Sequence, residues 1–169
     1  YNLPSLQQPL RLDGAVLAEI FAGRVTRWDA PEIRRLNPGV QLPDRDILVV
    51  HRTDGSGTTY VFTEYLAAVS PGWRQSPGMG KQVSWPVGLG AKGNEGVAGQ
   101  VKQTEGAVGY VEQVYAEQNG LATAALRNRA GEFVLPTTEA AAAAAAGAAQ
   151  RVTDDGELTL SLVDAEGAG

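Results

Sequence analysis

The sequence has no cysteine and a single histidine, His51. The missing cysteines exclude a disulfide framework and a cysteine nucleophile, and one histidine is too few for a multi-histidine metal centre. Asp and Glu outnumber Lys and Arg by 19 to 14, so the net charge is −5 and no basic footprint for nucleic acid is present. We therefore expect no metal, no cofactor and no nucleic-acid partner.

Long apolar runs are missing too. No stretch approaches the roughly 20 apolar residues that a membrane-spanning helix needs, so no membrane span is expected. Hydrophobic residues still make up 43% of the 169 residues, which is enough for a folded core, and this length favours one domain. Because the chain starts at Tyr1 without an initiator methionine or a signal-peptide pattern, we expect a piece of a longer protein.

Strand and helix signals alternate along the chain. Ile47–Val50 is wholly apolar and rich in β-branched residues, which is typical of a strand covered on both faces. A Gly-rich turn follows it, and apolar residues then recur at helical spacing up to Val69. Further helices are predicted over residues 13–22, 29–37, 94–102, 111–118 and 140–146, and further strands over residues 107–111, 121–126, 133–134 and 158–162. The order predicts a single α/β domain, residues 1–169, with a mixed, mainly parallel sheet flanked by helices.

The turn after the predicted strand carries the strongest chemical signal. A helix N-terminus presents unpaired N–H groups and a partial positive charge, and Gly57 lets an anion approach that backbone closely. The hydroxyls of Ser56 and Thr58 add two donors. Arg52 supplies a planar, permanently charged fork, and Asp54 is suited to orient it. This pattern predicts a metal-free site for a tetrahedral oxyanion.

The pattern alone leaves other interpretations open. Ser, Gly and Thr are ordinary residues at a helix start, and an Arg–Asp pair is often only a surface ion pair. Ser56, His51 and Asp54 occur within six positions and suggest a serine hydrolase, but the G-x-S-x-G elbow is missing. Residues 88–93 match G-x-G-x-x-G, the dinucleotide-binding pattern, yet Trp85-Pro86 interrupts the strand that should precede it, which favours a structural loop. The tryptophans are expected to be core anchors.

Several motifs in the same order resemble the periplasmic phosphate-binding proteins of bacterial ABC phosphate transporters. They are Tyr1-Asn2-Leu3-Pro4, residues 17–28, Leu36-Asn37-Pro38-Gly39, residues 51–59, residues 85–96 and residues 106–112. The resemblance extends from residue 1 to about residue 167 and implies a periplasmic-binding-protein-like fold. It also implies capture of inorganic phosphate, in the periplasm or at the cell surface, for delivery to an ABC permease, without catalysis.

The same resemblance assigns roles to the turn. It implies that Arg52 donates to phosphate and is oriented by Asp54. Ser56 would bind through its hydroxyl, and Gly57 and Thr58 would bind through backbone N–H groups, with the Thr58 hydroxyl as a further donor. All five residue types are present at the matching positions.

The resemblance covers only part of the family's length. Family members have two lobes and are about twice as long, and their first lobe supplies further phosphate ligands. The chain is therefore expected to be the second lobe alone, with the first lobe missing. We expect it to bind phosphate weakly and to discriminate poorly against sulfate. A homodimer is a further expectation, because removal of one lobe uncovers a cleft face and an interdomain surface that favour association. The alternatives are a protein that binds another tetrahedral oxyanion, such as sulfate or molybdate, and an enzyme that acts on a phosphoester.

Overall fold

The structure is a computed structural model that describes residues 1–149. The described elements, in chain order, are β1 (Arg11–Leu12), α1 (Gly14–Phe21), α2 (Pro31–Leu36), β2 (Leu48–Arg52), α3 (Gly57–Val69), α4 (Pro71–Gln75), β3 (Leu89–Ala91), α5 (Gly93–Gln103), β4 (Ala107–Gly109), α6 (Gln113–Asn119), β5 (Ala125–Arg127), β6 (Phe133–Val134) and α7 (Thr138–Ala149). The strand predicted over residues 158–162 lies outside this part of the chain.

The described strands form two three-stranded sheets. In one sheet β2 is central and runs parallel to both neighbours, with Val50 opposite Leu89 of β3 and opposite Gly109 of β4. In the other sheet β5 is central, parallel to β1 and antiparallel to β6. The predicted fold class, α/β with mainly parallel strands flanked by helices, is confirmed, and the strands divide between two sheets.

Two groups of buried side chains form the core. The larger group joins α1, α2 and α3 with residues of both sheets, and the smaller one packs α5 against the parallel sheet through Val50, Val97 and Val101. Trp28 and Trp73 are 0% and 1% exposed, and the indole N–H of each donates to a backbone carbonyl. These two tryptophans are core anchors, as the sequence predicts.

Two elements differ from the sequence-based expectation. The helix expected to end before Ser70 does end at Val69, but a second helix that was not predicted, α4, follows directly, because Ser70 Oγ accepts from the Trp73 N–H at 3.2 Å and Pro71 fits the first helical position. β1 carries no strand signal because it is two residues long and pairs with the distant β5. Within residues 1–149, no helix is long and apolar enough to cross a membrane.

Candidate functional site

Three strand ends and three helix starts meet at one edge of the parallel sheet. β2 ends at Arg52, and its neighbours β3 and β4 end alongside it. α3, α5 and α6 begin at Gly57, Gly93 and Gln113, within a few residues of those strand ends. The carboxyl edge of a parallel sheet is where open α/β folds bind their ligands, because helix N-termini converge there.

Arg52 lies at the centre of this edge and is bound by Asp54. Arg52 Nε donates to Asp54 Oδ1 at 2.8 Å and Nη2 donates to Oδ2 at 2.6 Å, which is a bidentate pair. The Asp54 carboxylate also accepts from the Gly93 N–H at 3.1 Å. The guanidinium, followed by this N–H, holds the pKa of Asp54 well below its usual range, and the carboxylate raises the pKa of Arg52. The pair fixes a cation whose side chain is only 10% exposed.

Ser56 forms the N-terminal cap of α3. Its Oγ accepts from the Thr59 N–H at 3.2 Å, which leaves the hydroxyl hydrogen available as a donor. The Ser56 N–H is already used, because it donates to the Lys81 carbonyl at 2.9 Å. Gly57 and Thr58 are the first two helical residues, so their N–H groups have no acceptor within the helix and face its N-terminal side.

Two further polar side chains connect Arg52 with Thr58. Asn94, in the first turn of α5 and 8% exposed, accepts from Arg52 Nη1 at 3.3 Å through its Oδ1. Asn94 Nδ2 donates to Glu112 Oε1 at 3.2 Å, and the same carboxylate oxygen accepts from Thr58 Oγ1 at 3.1 Å. Asn94 and Glu112 are functional candidates that the sequence analysis missed.

The Tyr110 hydroxyl connects the end of β2 with the start of α3. It accepts from the Arg52 N–H at 3.1 Å and pairs with Thr59 Oγ1 at 2.8 Å. The ring stacks on Phe62 and Trp85, with centroids 4.4 and 5.5 Å away. Burial raises the pKa of the Tyr110 hydroxyl, which keeps it neutral and available as a hydrogen-bonding partner.

The three residues of the hydrolase interpretation have three different partners. His51 stacks on Trp85 with centroids 5.0 Å apart, and its Nδ1 lies 3.2 Å from the Arg52 carbonyl oxygen. Asp54 binds Arg52, and Ser56 caps α3, as described above. The geometry therefore does not assemble a nucleophile with its base.

The dinucleotide-binding interpretation also fails on geometry. In that fingerprint all three glycines follow the strand and form the turn into the helix. Here Gly90 lies inside β3, and a Cβ at Gly88 would lie 2.6 Å from the Val49 carbonyl oxygen. Gly88 also has φ +111°, so these glycines allow close packing of β3 on β2.

Comparison with known proteins places this geometry in a family. The profile described as PBP superfamily domain matches residues 1–167. The chain belongs to the PBP superfamily. Among the relatives of this PBP-superfamily chain are two proteins named phosphate-binding protein PstS. The one from Pasteurella multocida is 53% identical over 139 residues, and the one from Xylella fastidiosa (strain Temecula1) is 48% identical over 168 residues.

The matches cover most of this chain but less than half of each relative. The two alignments include 82% and 99% of this chain, but 40% and 46% of the relatives' own lengths. Solved structures with a similar fold include PstS from Borrelia burgdorferi, with a TM-score of 0.58, 20% identity and coverage of 83% of this chain and 49% of that chain. Another is PfluDING, a high-affinity periplasmic phosphate-binding protein solved with phosphate, with a TM-score of 0.58, 22% identity and coverage of 89% and 41%.

Proposed function

We propose that this PBP-superfamily chain binds inorganic phosphate at the N-terminus of α3. The observation that carries the proposal is the position of the Arg52 fork, which a bidentate carboxylate holds beside a helix start with free N–H groups at Gly57 and Thr58. Two backbone N–H groups, two hydroxyls and one guanidinium suit the oxygens of a tetrahedral oxyanion. The names of the PstS relatives support phosphate as that oxyanion.

Phosphate binding by this chain is weak because few charges favour it. Asp54 already compensates the charge of Arg52, and Glu112 adds a negative charge beside Thr58. What attracts the anion is therefore a partly compensated guanidinium together with the helix N-terminus and neutral hydrogen-bond donors, each of which is worth little when water can compete. A second set of donors facing this sheet edge would be needed for tight binding.

The wider role follows from the relatives. The chain spans less than half of their length, and we propose that it corresponds to the second lobe of a two-lobed solute-binding protein. Such a protein captures phosphate in the periplasm or at the cell surface and delivers it to an ABC permease, and it catalyses no reaction. In this proposal the missing lobe, or a second copy of this chain, covers the carboxyl edge of the parallel sheet.

Two glycine substitutions test the site without disturbing the fold. Neither Gly55 nor Gly57 has a positive φ, and a Cβ at either position would meet no atom within 4 Å. Gly57→Ala adds a methyl group beside an N–H assigned to phosphate, and Gly55→Ala is the matched control two residues earlier. We expect Gly57→Ala to weaken phosphate binding about tenfold or more and to leave the unfolding free energy unchanged within about 0.5 kcal/mol.

Phosphate affinity is measured by titration calorimetry or by amide chemical shifts, and stability by urea unfolding. Equal phosphate affinity in the two variants would contradict the proposal that α3 holds the anion. A preference for sulfate or molybdate over phosphate in the unsubstituted chain would retain the site and change its ligand. Turnover of a phosphoester would contradict the non-catalytic role.

A further inference from the structure

Glu112 accepts a hydrogen bond from the Thr58 hydroxyl, which the proposed function assigns to the bound anion. It lies directly before α6, three residues after the end of β4. One of its carboxylate oxygens accepts from Thr58 Oγ1 at 3.1 Å and from Asn94 Nδ2 at 3.2 Å. Asn94 in turn accepts from Arg52. A carboxylate of this chain therefore occupies part of the hydrogen-bond network around the proposed anion site.

The Thr58 hydroxyl cannot serve both partners. A threonine hydroxyl has one hydrogen, so an oxyanion that takes it must displace Glu112 from this bond. The displaced carboxylate stays close by, because its backbone is fixed at the start of α6, and it repels an arriving anion. A hydrogen phosphate offsets this repulsion by donating its own O–H to the carboxylate, whereas sulfate has no hydrogen to donate.

We propose that Glu112 competes with the bound oxyanion for the Thr58 hydroxyl and makes the site favour oxyanions that carry a proton. This inference rests on the proposed function, because it concerns the same site. It assigns to this chain a carboxylate that discriminates between hydrogen phosphate and sulfate, whereas the sequence alone leads us to expect poor discrimination. Asp54 does not take that role, because both of its oxygens are bound to Arg52.

Glu112→Gln separates charge from shape. Glutamine keeps an oxygen that can accept from Thr58 and Asn94, removes the negative charge, and adds N–H groups that can donate to a sulfate oxygen. Since Glu112 is exposed, solvent screens its charge, and we expect a gain in sulfate affinity of about three- to tenfold, with a smaller gain for phosphate. The matched control is Glu117→Gln, which removes the same charge further along α6, where Glu117 pairs with Gln113.

The experiment titrates phosphate and sulfate into the 169-residue chain and both variants at pH 7 and constant ionic strength, up to about 100 mM, with amide chemical shifts as the readout. A lower phosphate-to-sulfate affinity ratio in Glu112→Gln alone supports the proposal. An unchanged ratio, or weaker binding of both anions, overturns it and makes Glu112 a positioning residue for Thr58. Absence of binding by either anion to all three chains would instead contradict the proposed function.

Discussion

Removal of the Tyr110 hydroxyl should destabilise the protein, because it connects β2 with α3. Tyr110→Phe leaves the Arg52 N–H and the Thr59 hydroxyl without the partner they have at 3.1 and 2.8 Å. Both side chains of the Tyr110–Thr59 pair are buried, with exposures of 7% and 1%. A buried polar group without a partner costs about 1–3 kcal/mol. A rotated Thr59 hydroxyl can recover part of this by bonding to a carbonyl of the preceding turn.

We therefore expect the unfolding free energy to fall by about 1–3 kcal/mol, which lowers the melting temperature by about 2–12 °C in a chain of this size. Urea unfolding followed by far-UV circular dichroism measures the change without depending on Trp85, which stacks on the substituted ring. Tyr60→Phe on the exposed side of α3 is the control, since Tyr60 is 38% exposed. A loss below about 0.5 kcal/mol, the usual range for a surface substitution, would refute the assignment of this hydroxyl as a structural link.

The Tyr110 hydroxyl should also make the unfolding free energy decline at alkaline pH. Burial raises the pKa of Tyr110 above its ordinary value of 10.0, so the neutral form stabilises the fold. That contribution is complete below about pH 10 and is lost as the pH rises through the raised pKa of the folded state. Tyr110→Phe should therefore show a smaller decline in unfolding free energy above pH 10 than the unsubstituted chain. An equal decline in both would mean that other groups set the alkaline limit.

Two further predictions concern the ion pair and the packing beneath it. Because Arg52 lowers the pKa of Asp54, the stability from this pair is present above about pH 4 and is lost as the pH falls through the lowered pKa. Asp54→Asn should flatten the loss of unfolding free energy between about pH 4 and pH 2 in urea titrations, and an unchanged slope would contradict this. A Cβ at Gly109 would lie 2.8 Å from Val97 Cγ1, so Gly109→Ala should lower the unfolding free energy by about 1–3 kcal/mol. The control is Gly99→Ala, whose Cβ meets no atom within 4 Å and which should be neutral or stabilising. Equal stability of the two variants would contradict the packing argument.

Local sequence signals predicted the part of the site that is continuous in the chain. The apolar run ending at Val50 is the central strand of a parallel sheet, so it is covered on both faces and contains no alternating polar residues. The turn that follows contains the cap residue Ser56 and two glycines, and it starts α3 where the sequence predicts. Arg52 and Asp54 are two residues apart, so their pairing could be inferred without knowing the fold.

Asn94 and Glu112, which the sequence did not predict, are brought to the site by the order of strands in the sheet. Asn94 and Glu112 lie 42 and 54 residues away from the partners they bind, Arg52 and Thr58. They meet because β3 and β4 flank β2, so that the helix or turn after each strand meets the same edge. Strand order is a long-range property, and neither residue lies in a local pattern that indicates an anion site. The motif match that includes Glu112 pointed to a family but assigned it no role.

The most direct measurement of the central claim is a phosphate titration of the 169-residue chain at low ionic strength, with sulfate as the reference and amide chemical shifts as the readout. The account predicts weak, saturable binding that perturbs the N–H groups of Gly57 and Thr58 first, and that is lost in Arg52→Gln. Saturable shifts that are absent at α3, or that persist unchanged in Arg52→Gln, would contradict it. The absence of any saturable shift up to about 100 mM phosphate would also contradict it, because any remaining binding would then be weaker than millimolar.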